Sequence, residues 1–509
     1  MSRSSRFLPL LLLLFAASGC SALIYEIVWY QMLQLAIGST AVSLGFLLAS
    51  FMGGLCIGSI GLPRFLGARY SDTHPLRIYA ALEVGIGLCG ILVLYGIPLV
   101  DRIYVAGAEH GLPGMMLRGF ISAVCLLPPT ILMGASLPAL VRWVENTPRG
   151  VSWWGFLYGG NTLGAVFGCL LAGFYLLRVY NMSTATYVAA ALNLAIAAVS
   201  YLLASRTPAR SDEGEAQPAP AATAAVRVEP AANWPVYLTI AISGATALGA
   251  EVIWTRLMAM ILGSTVYVFS IILAVFLIGL ALGSGLGSMV LRSLRTAAGP
   301  RLALGWSQVL LTLGIAWTAY MIADSIPYWP INPMIATSPW YNFQLDMARC
   351  LWAILPPTIL WGASFPLACA AVSASSKDSS RLVGSVYAAN TFGAILGALL
   401  VSLTLVPAIG TQNSERAILL LSAAGALVVL LPELSRSRSM LLAAGLTAAL
   451  LLTVQLTRGI DPIPGKVIAY GRRIAISSPN SELLYTIEGR NSSVAITRWN
   501  DGAIEVDVN

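Results

Sequence analysis

Four segments of this chain occur twice, in the same order and at nearly the same separation. SGCSALIYEIVW, from Ser18, returns as SGATALGAEVIW from Ser243, 225 positions later. Gly38-Ser39-Thr40 returns as Gly263-Ser264-Thr265 at the same offset. LPPTILMGASLPAL (127–140) returns as LPPTILWGASFPLA (355–368), and Tyr158-Gly159-Gly160-Asn161-Thr162 returns as Tyr387-Ala388-Ala389-Asn390-Thr391. Order and spacing of this kind mark a duplicated unit. The chain must fold as two copies of one arrangement, so a feature placed in one copy predicts its position in the other.

The composition says what the unit is made of. Hydrophobic residues make up 57% and charged residues 10% of the 509 positions, against about 25% charged in a soluble protein. A water-soluble enzyme is excluded, and so is a disordered scaffold, which needs few apolar residues and many charges. A helix that crosses a bilayer needs ~20 mostly apolar residues. Apolar runs predict thirteen such spans, near 7–35, 40–61, 78–99, 118–142, 153–177, 184–203, 236–262, 265–291, 302–323, 348–373, 382–407, 414–432 and 439–457.

Six spans fall in each copy, 7–203 and 234–432. Six is even, so both copies enter the membrane in the same sense. Two parallel six-helix repeats related by an axis along the membrane normal are the layout of the major facilitator (MFS) transporters. The expected fold is an all-α polytopic membrane protein of this MFS-like kind. A thirteenth helix (439–457) and a short C-terminal β-meander within 459–509 follow the repeats. Residues 204–233, rich in Pro, Ala, Ser and Glu, read as a flexible cytoplasmic linker.

The net charge of +7 fits orientation in a membrane better than nucleic-acid binding, because the arginines are scattered singly through short connections. With the N-terminus inside, inner connections hold seventeen basic residues and outer ones five. This asymmetry predicts a cytoplasmic N-terminus and, with an odd number of spans, an external tail. The seven cysteines lie in apolar stretches without a C-x-x-C pair, and only two histidines exist, His74 and His110. No metal site, catalytic residue or cofactor is expected in this chain. Gly283-Ser284-Gly285-Leu286-Gly287 imitates a nucleotide loop but lies inside an apolar run, where small residues let helices approach.

Ionisable groups inside spans are costly and point to function. Glu26 and Glu251 are equivalent in the first helix of each copy, as are Gln31 and Arg256 five residues on. Glu83 matches Gln308, and Asn161 matches Asn390. Glu26, Glu251, Arg256, Asn161, Asn390 and Glu83 are therefore candidates for solute binding or proton coupling. A network that staples helices together is the structural alternative. Gly160, Gly164 and Gly168, like Ala389, Gly393 and Gly397, recur every fourth residue and predict close helix crossings.

From Lys466 the pattern changes to period two, with strands expected over 483–488, 492–498 and 503–508 and a hairpin signal at Asn500-Asp501-Gly502. The repeated motifs and the tail LLYTIEGRNSSVAITRWNDGAIEVDVN together resemble the bacterial fused MFS/spermidine synthase-like membrane proteins. The resemblance implies a bacterial inner-membrane location and a chain cut just inside the synthase-like domain. It also implies an aminopropyltransferase activity whose nucleotide loop and acidic catalytic residue have no counterpart in 459–509.

Three functions remain open on this reading. The first is a transporter of a small polar or cationic metabolite, polyamine-related by the resemblance. The second is a non-transporting membrane anchor for a polyamine aminopropyltransferase domain, and the third a scaffold. The lipid bilayer is the one partner common to all; nucleic acid is not expected, and the sequence leaves the oligomeric state open.

Overall fold

The computed structural model describes residues 7–37, 40–105, 112–145, 150–207, 233–294, 296, 298–329, 338–373, 379–471, 474, 481–489 and 492–508. Most of the linker expected at 204–233, and Gly38-Ser39, lie outside these. The first copy consists of α1 (Leu8–Ile37), α2 (Thr40–Asp72), α3 (Pro75–Val105), α4 (Leu112–Glu145), α5 (Gly150–Leu171) and α6 (Met182–Arg206). The second consists of α7 (Trp234–Leu262), α8 (Val266–Ser293), α9 (Gly299–Tyr320), α10 (Pro339–Ser373), α11 (Ser379–Leu400) and α12 (Val406–Ser437). Then come α13 (Met440–Arg458), the short α14 (Gly465–Tyr470), and strands β1 (Ser481–Glu488), β2 (Ser493–Trp499) and β3 (Ile504–Val508).

Among the described residues, twelve helical stretches are long and apolar enough to cross a membrane. One of them, Gly384–Ser437, has 54 residues, roughly 80 Å of helix at 1.5 Å per residue. That is more than twice the ~30 Å of a hydrocarbon core. Gly410 breaks it, with φ 77° and ψ 172°, a conformation open to a residue without Cβ. Counted as two crossings, this stretch brings the total to thirteen.

Packing repeats with the sequence. In the first copy α1 lies on α5 and α6, α2 on α4, and α3 on α4 and α6; in the second α7 lies on α11 and α12, α8 on α10, and α9 on α10 and α12. The copies meet along two matched seams, α2 with α11 and α5 with α8. Small residues set these crossings. A Cβ on Gly164 would collide with the Ala16 carbonyl, and one on Gly393 with that of Ala241. Gly58 and Gly283 stand in the same way against the Ile131 and Ile359 carbonyls, so the nucleotide-loop imitation is a helix-packing surface.

Both seams carry the same irregularity. α5 continues into a π-helical turn, Ala172–Leu176, and α11 into another, Val401–Leu405, at equivalent positions. Gly173 in the first abuts Ser270 of α8, and Ser402 in the second abuts Gly45 of α2. The serine–glycine pairing is thus exchanged between the seams. A π turn inserts one extra residue and shifts the facing register where α5 and α11 already lie against the opposite copy.

The outer surface is apolar, as a bilayer requires. Leu88, Leu92, Tyr95 and Leu99 form an exposed stripe along α3, and α13, the most exposed span, packs chiefly on α9 and α12 among the described residues. Inside, aromatic rings fill the junction between copies: Tyr30 lies 4.0 Å from Phe269, and Phe174 lies 4.7 Å from Tyr267.

The tail forms an antiparallel sheet in the order β1-β2-β3. The period-two pattern holds in β2, where Ser493, Ala495 and Thr497 are buried, while β3 is exposed at Ile504, Glu505 and Val506 in succession and again at Val508. Gly502, at φ 86°, makes the second turn. The first turn, around Arg490-Asn491, lies outside the described residues.

Arg301, Arg349 and Arg416 stand at or just outside the edges of the apolar runs. All three lie inside helices. Arg349 pairs with Asp346 at 3.5 Å, and Arg301 with Glu433 at 3.5 Å. Arg416 donates to the Ile460 carbonyl at 2.8 Å. Using charges as helix ends fails where partners let a charge remain buried.

Candidate functional site

α1 and α7 are the most enclosed helices, and their equivalent faces meet between the copies. Glu26, Tyr30 and Gln34 are spaced four apart along α1; Glu251, Thr255 and Ala259 are their equivalents on α7. Residues four apart share a helix face. Tyr30, Gln34, Thr255 and Ala259 line one cavity, with Leu44 of α2 and Val268, Phe269 and Ile272 of α8. The two glutamates stand one turn deeper on the same faces. The cavity holds about 20 Å³, room for one or two waters and for nothing larger.

Glu26 is 5% and Glu251 3% exposed. The two carboxyls are within electrostatic reach of each other and of the Cys169 thiol. Among the described residues no basic side chain pairs with either, and Glu251 Oε1 has no hydrogen-bond partner. The pair is thus an acidic centre without a counter-charge, at the junction of the copies.

Arg256 is placed differently. Five residues beyond Glu251, it is 7% exposed and reaches the tail. Its Nη2 donates to the Gly489 carbonyl at 2.7 Å and to Ser493 Oγ at 3.1 Å. Neighbouring contacts seat the tail on the second copy. Glu488 Oε2 accepts from the Thr411 N–H (2.9 Å) and Oγ1 (2.7 Å), immediately after the Gly410 break. Gly471, at φ 47°, packs against the Met260 carbonyl, where a side chain would not fit.

The asparagines stay within their own copies. Asn161 abuts Gly19 in the crossing of α5 on α1, and Asn390 abuts Gly244 in that of α11 on α7. Each contact is seven residues, roughly 10 Å of helix rise, from the glutamate on the same helix. Glu83 also lies inside one copy. Ser18 Oγ donates to its Oε1 at 2.7 Å, and Asn193 Nδ2 to its Oε2 at 2.6 Å, tying α1, α3 and α6 together. Gln308, its equivalent, is tied differently: it donates to Ser364 Oγ of α10 at 2.8 Å, and Ser422 of α12 donates to its backbone carbonyl at 3.1 Å.

Three buried groups had been passed over in the sequence. Glu415 on α12 is buried within reach of the Trp254 indole, with Oε1 unpartnered. Its signal is weak because it stands at the very start of the span expected over 414–432. The Asp346–Arg349 pair, three residues apart on one helix face, was legible as a self-neutralising i, i+3 pair. Asn193 had a signal only in being polar at mid-span. Among the described residues no group of His, Cys, Asp and Glu has metal-site geometry.

Two solved structures share this fold. A bacterial metal transporter superposes with a TM-score of 0.50 at 14% identity, over 84% of this chain and 98% of that one. A bacterial homologue of the human lysosomal transporter Spinster, inward-facing and unoccupied, does so at 0.50 and 13%, over 90% and 98%. No protein-family model and no curated protein matches the sequence. At such identities the likeness defines a fold: the chain is a multi-pass membrane protein of MFS-like architecture.

Proposed function

We propose that the chain is a membrane transporter for a small polar or cationic solute, with Glu26 and Glu251 as the binding and proton-coupling pair. The observation that carries this reading is the acidic centre at the junction of two same-sense bundles, with no described basic partner. In a parallel-repeat transporter the solute site lies at mid-membrane between the repeats. Two carboxyls in an apolar setting favour either a bound cation or bound protons, and exchange between them couples the two fluxes. Both solved neighbours are described as transporters or their homologues, one of them for metal, which supports transport as the broad class.

The narrower identification of a polyamine rests on the resemblance to fused MFS/spermidine synthase-like proteins. Placement in a bacterial inner membrane with an external tail rests on that resemblance and on the asymmetry of basic residues. The test is uptake of labelled putrescine and spermidine into proteoliposomes under an imposed pH gradient. Gradient-driven uptake should fall at least about tenfold in Glu251→Gln and Glu26→Gln. Uptake unchanged by both substitutions, and still dependent on pH, removes the pair from the mechanism.

One observation favours a second reading, the anchor. The junction is filled by rings from both copies, Tyr30 against Phe269 and Phe174 against Tyr267, and the cavity there admits no metabolite without a change of conformation. A chain whose junction never opens to water serves as a membrane anchor for a further domain.

A further inference from the structure

Arg256 has more hydrogen-bonding capacity than the tail uses. A guanidinium carries five N–H donors in a rigid fork. The Nη2 end is taken by Gly489 and Ser493. Nη1 is fully enclosed and has no partner, and Arg256 lines the cavity between α1/α2 and α7/α8. Thr255 Oγ1, on the same wall, is also buried without a partner. Tyr30 and Gln34 face them from the opposite copy.

The charge has no ionic partner either. Glu488 is the acid within electrostatic reach, but its Oε2 is engaged by Thr411, and among the described residues no carboxylate forms an ion pair with Arg256. A trapped water can accept from Nη1 but cannot neutralise a buried cation, which is costly when left unpaired. Packing does not require the charge. The equivalent position on α1 is the neutral Gln31, in the same repeat and the same place on the helix.

We propose that this cavity is a subsite for an anionic group, a carboxylate or phosphate carried by the solute whose cationic end the Glu26–Glu251 pair takes. The proposal rests on the transport reading above and sharpens it: the substrate is zwitterionic. A planar oxyanion matches the open side of the guanidinium fork, with Thr255 Oγ1 as a further donor. Arg256 is five residues beyond Glu251, about 7.5 Å along the helix, so the two charges of the solute are separated by several bonds. The 20 Å³ of the present state accommodates water, and binding requires the copies to part along α1 and α7.

The experiment uses the full chain in lipid nanodiscs and three probes at matched ionic strength: 4-aminobutyrate, n-butylamine and butyrate. Thermal unfolding is followed by tryptophan fluorescence. 4-Aminobutyrate should stabilise at concentrations at least about tenfold below those needed for either single-charge probe, the equivalent of one bidentate contact. Thr255→Val and Gln34→Leu leave the Arg256–tail contacts in place. They should erase the advantage of 4-aminobutyrate and leave the butylamine response unchanged. If butylamine is as effective as 4-aminobutyrate, the anionic subsite is refuted while the cation reading stands. If butyrate alone matches 4-aminobutyrate and is indifferent to Glu251→Gln, the anion site is not part of the solute site and the zwitterion proposal fails. A response to none of the three also overturns it, with proteoliposome flux left to decide the transport reading.

Discussion

The two copies of the repeat agree in scaffold and differ in charge. The crossings at Gly58 and Gly283 and at Gly164 and Gly393, the π turns that follow α5 and α11, and the main helix pairings coincide. Most of the differences add charged groups to the second copy, while Glu83 opposite Gln308 runs the other way. Arg256 stands opposite Gln31, and Asp346–Arg349 opposite Arg118 and Ile121. Glu415 and the docked tail are also on the second side. The comparison separates two kinds of residue. Those needed to build a six-helix bundle are found twice. Most of those found once serve a task that the bundle does not impose; Glu83, which ties α1, α3 and α6 together, does not follow this rule. Glu26 and Glu251 are the instructive exception, a costly group retained twice at the junction with no ion pair among the described residues.

Four sets of substitutions break or sharpen this contrast. The largest effect is expected at the pair present in one copy only. Arg349→Met leaves Asp346 buried without its partner and should cost roughly 3–5 kcal/mol. The double variant Asp346→Leu/Arg349→Met should recover most of that, measured by thermal unfolding in detergent. Failure of the double variant to recover would mean that the pair is part of the bundle's architecture after all. Next come the matched crossings. Gly164→Val and Gly393→Val drive a side chain into a facing carbonyl and should each cost about 3 kcal/mol, the upper part of the usual overpacking range. A large loss in one copy and none in the other would break the equivalence of the scaffolds.

Smaller effects follow at the polar staples. Glu83→Gln places in the first copy what the second already has at Gln308. It exchanges one acceptor for a donor facing Asn193 Nδ2, which turning the Asn193 amide relieves, so a cost of ~1–2 kcal/mol is expected. The smallest effect is at the tail. Glu488→Gln weakens two hydrogen bonds to Thr411 by ~1 kcal/mol and should speed hydrogen exchange in β1 and α14 while leaving α1–α6 unchanged. Faster exchange in the first copy would show that the tail stabilises both.

Much of the fold was legible because two independent signals agreed. Apolar length gave the spans and the repeat gave their register, and the tail's alternation gave all three strands to within two residues. What stayed hidden depended on neighbours distant in sequence. α10 begins at Pro339, nine residues earlier than the apolar run suggested, because Asp346 and Arg349 neutralise each other there. The short helix α14 escaped because six residues carry too little periodicity. The candidate site was half legible. Buried charge singled out Glu26, Glu251 and Glu83 alike, but side-chain partners alone distinguish the stapled Glu83 from the unstapled pair. Arg256 was visible as a charge in a span; its reach to Gly489, 233 residues away, was not.

The central claim is that the junction lined by Glu26, Tyr30, Gln34 and their equivalents on α7 opens to water. The direct measurement is thiol labelling with a membrane-impermeant maleimide on single cysteines introduced at Thr255 and Ala259, compared with Leu92 on the exposed stripe of α3. The account predicts labelling at Thr255 and Ala259 within minutes and none at Leu92, because a thiol reacts as its hydrated thiolate. Thr255 and Ala259 as inert as Leu92, in intact and in opened vesicles, would contradict it and leave the anchor.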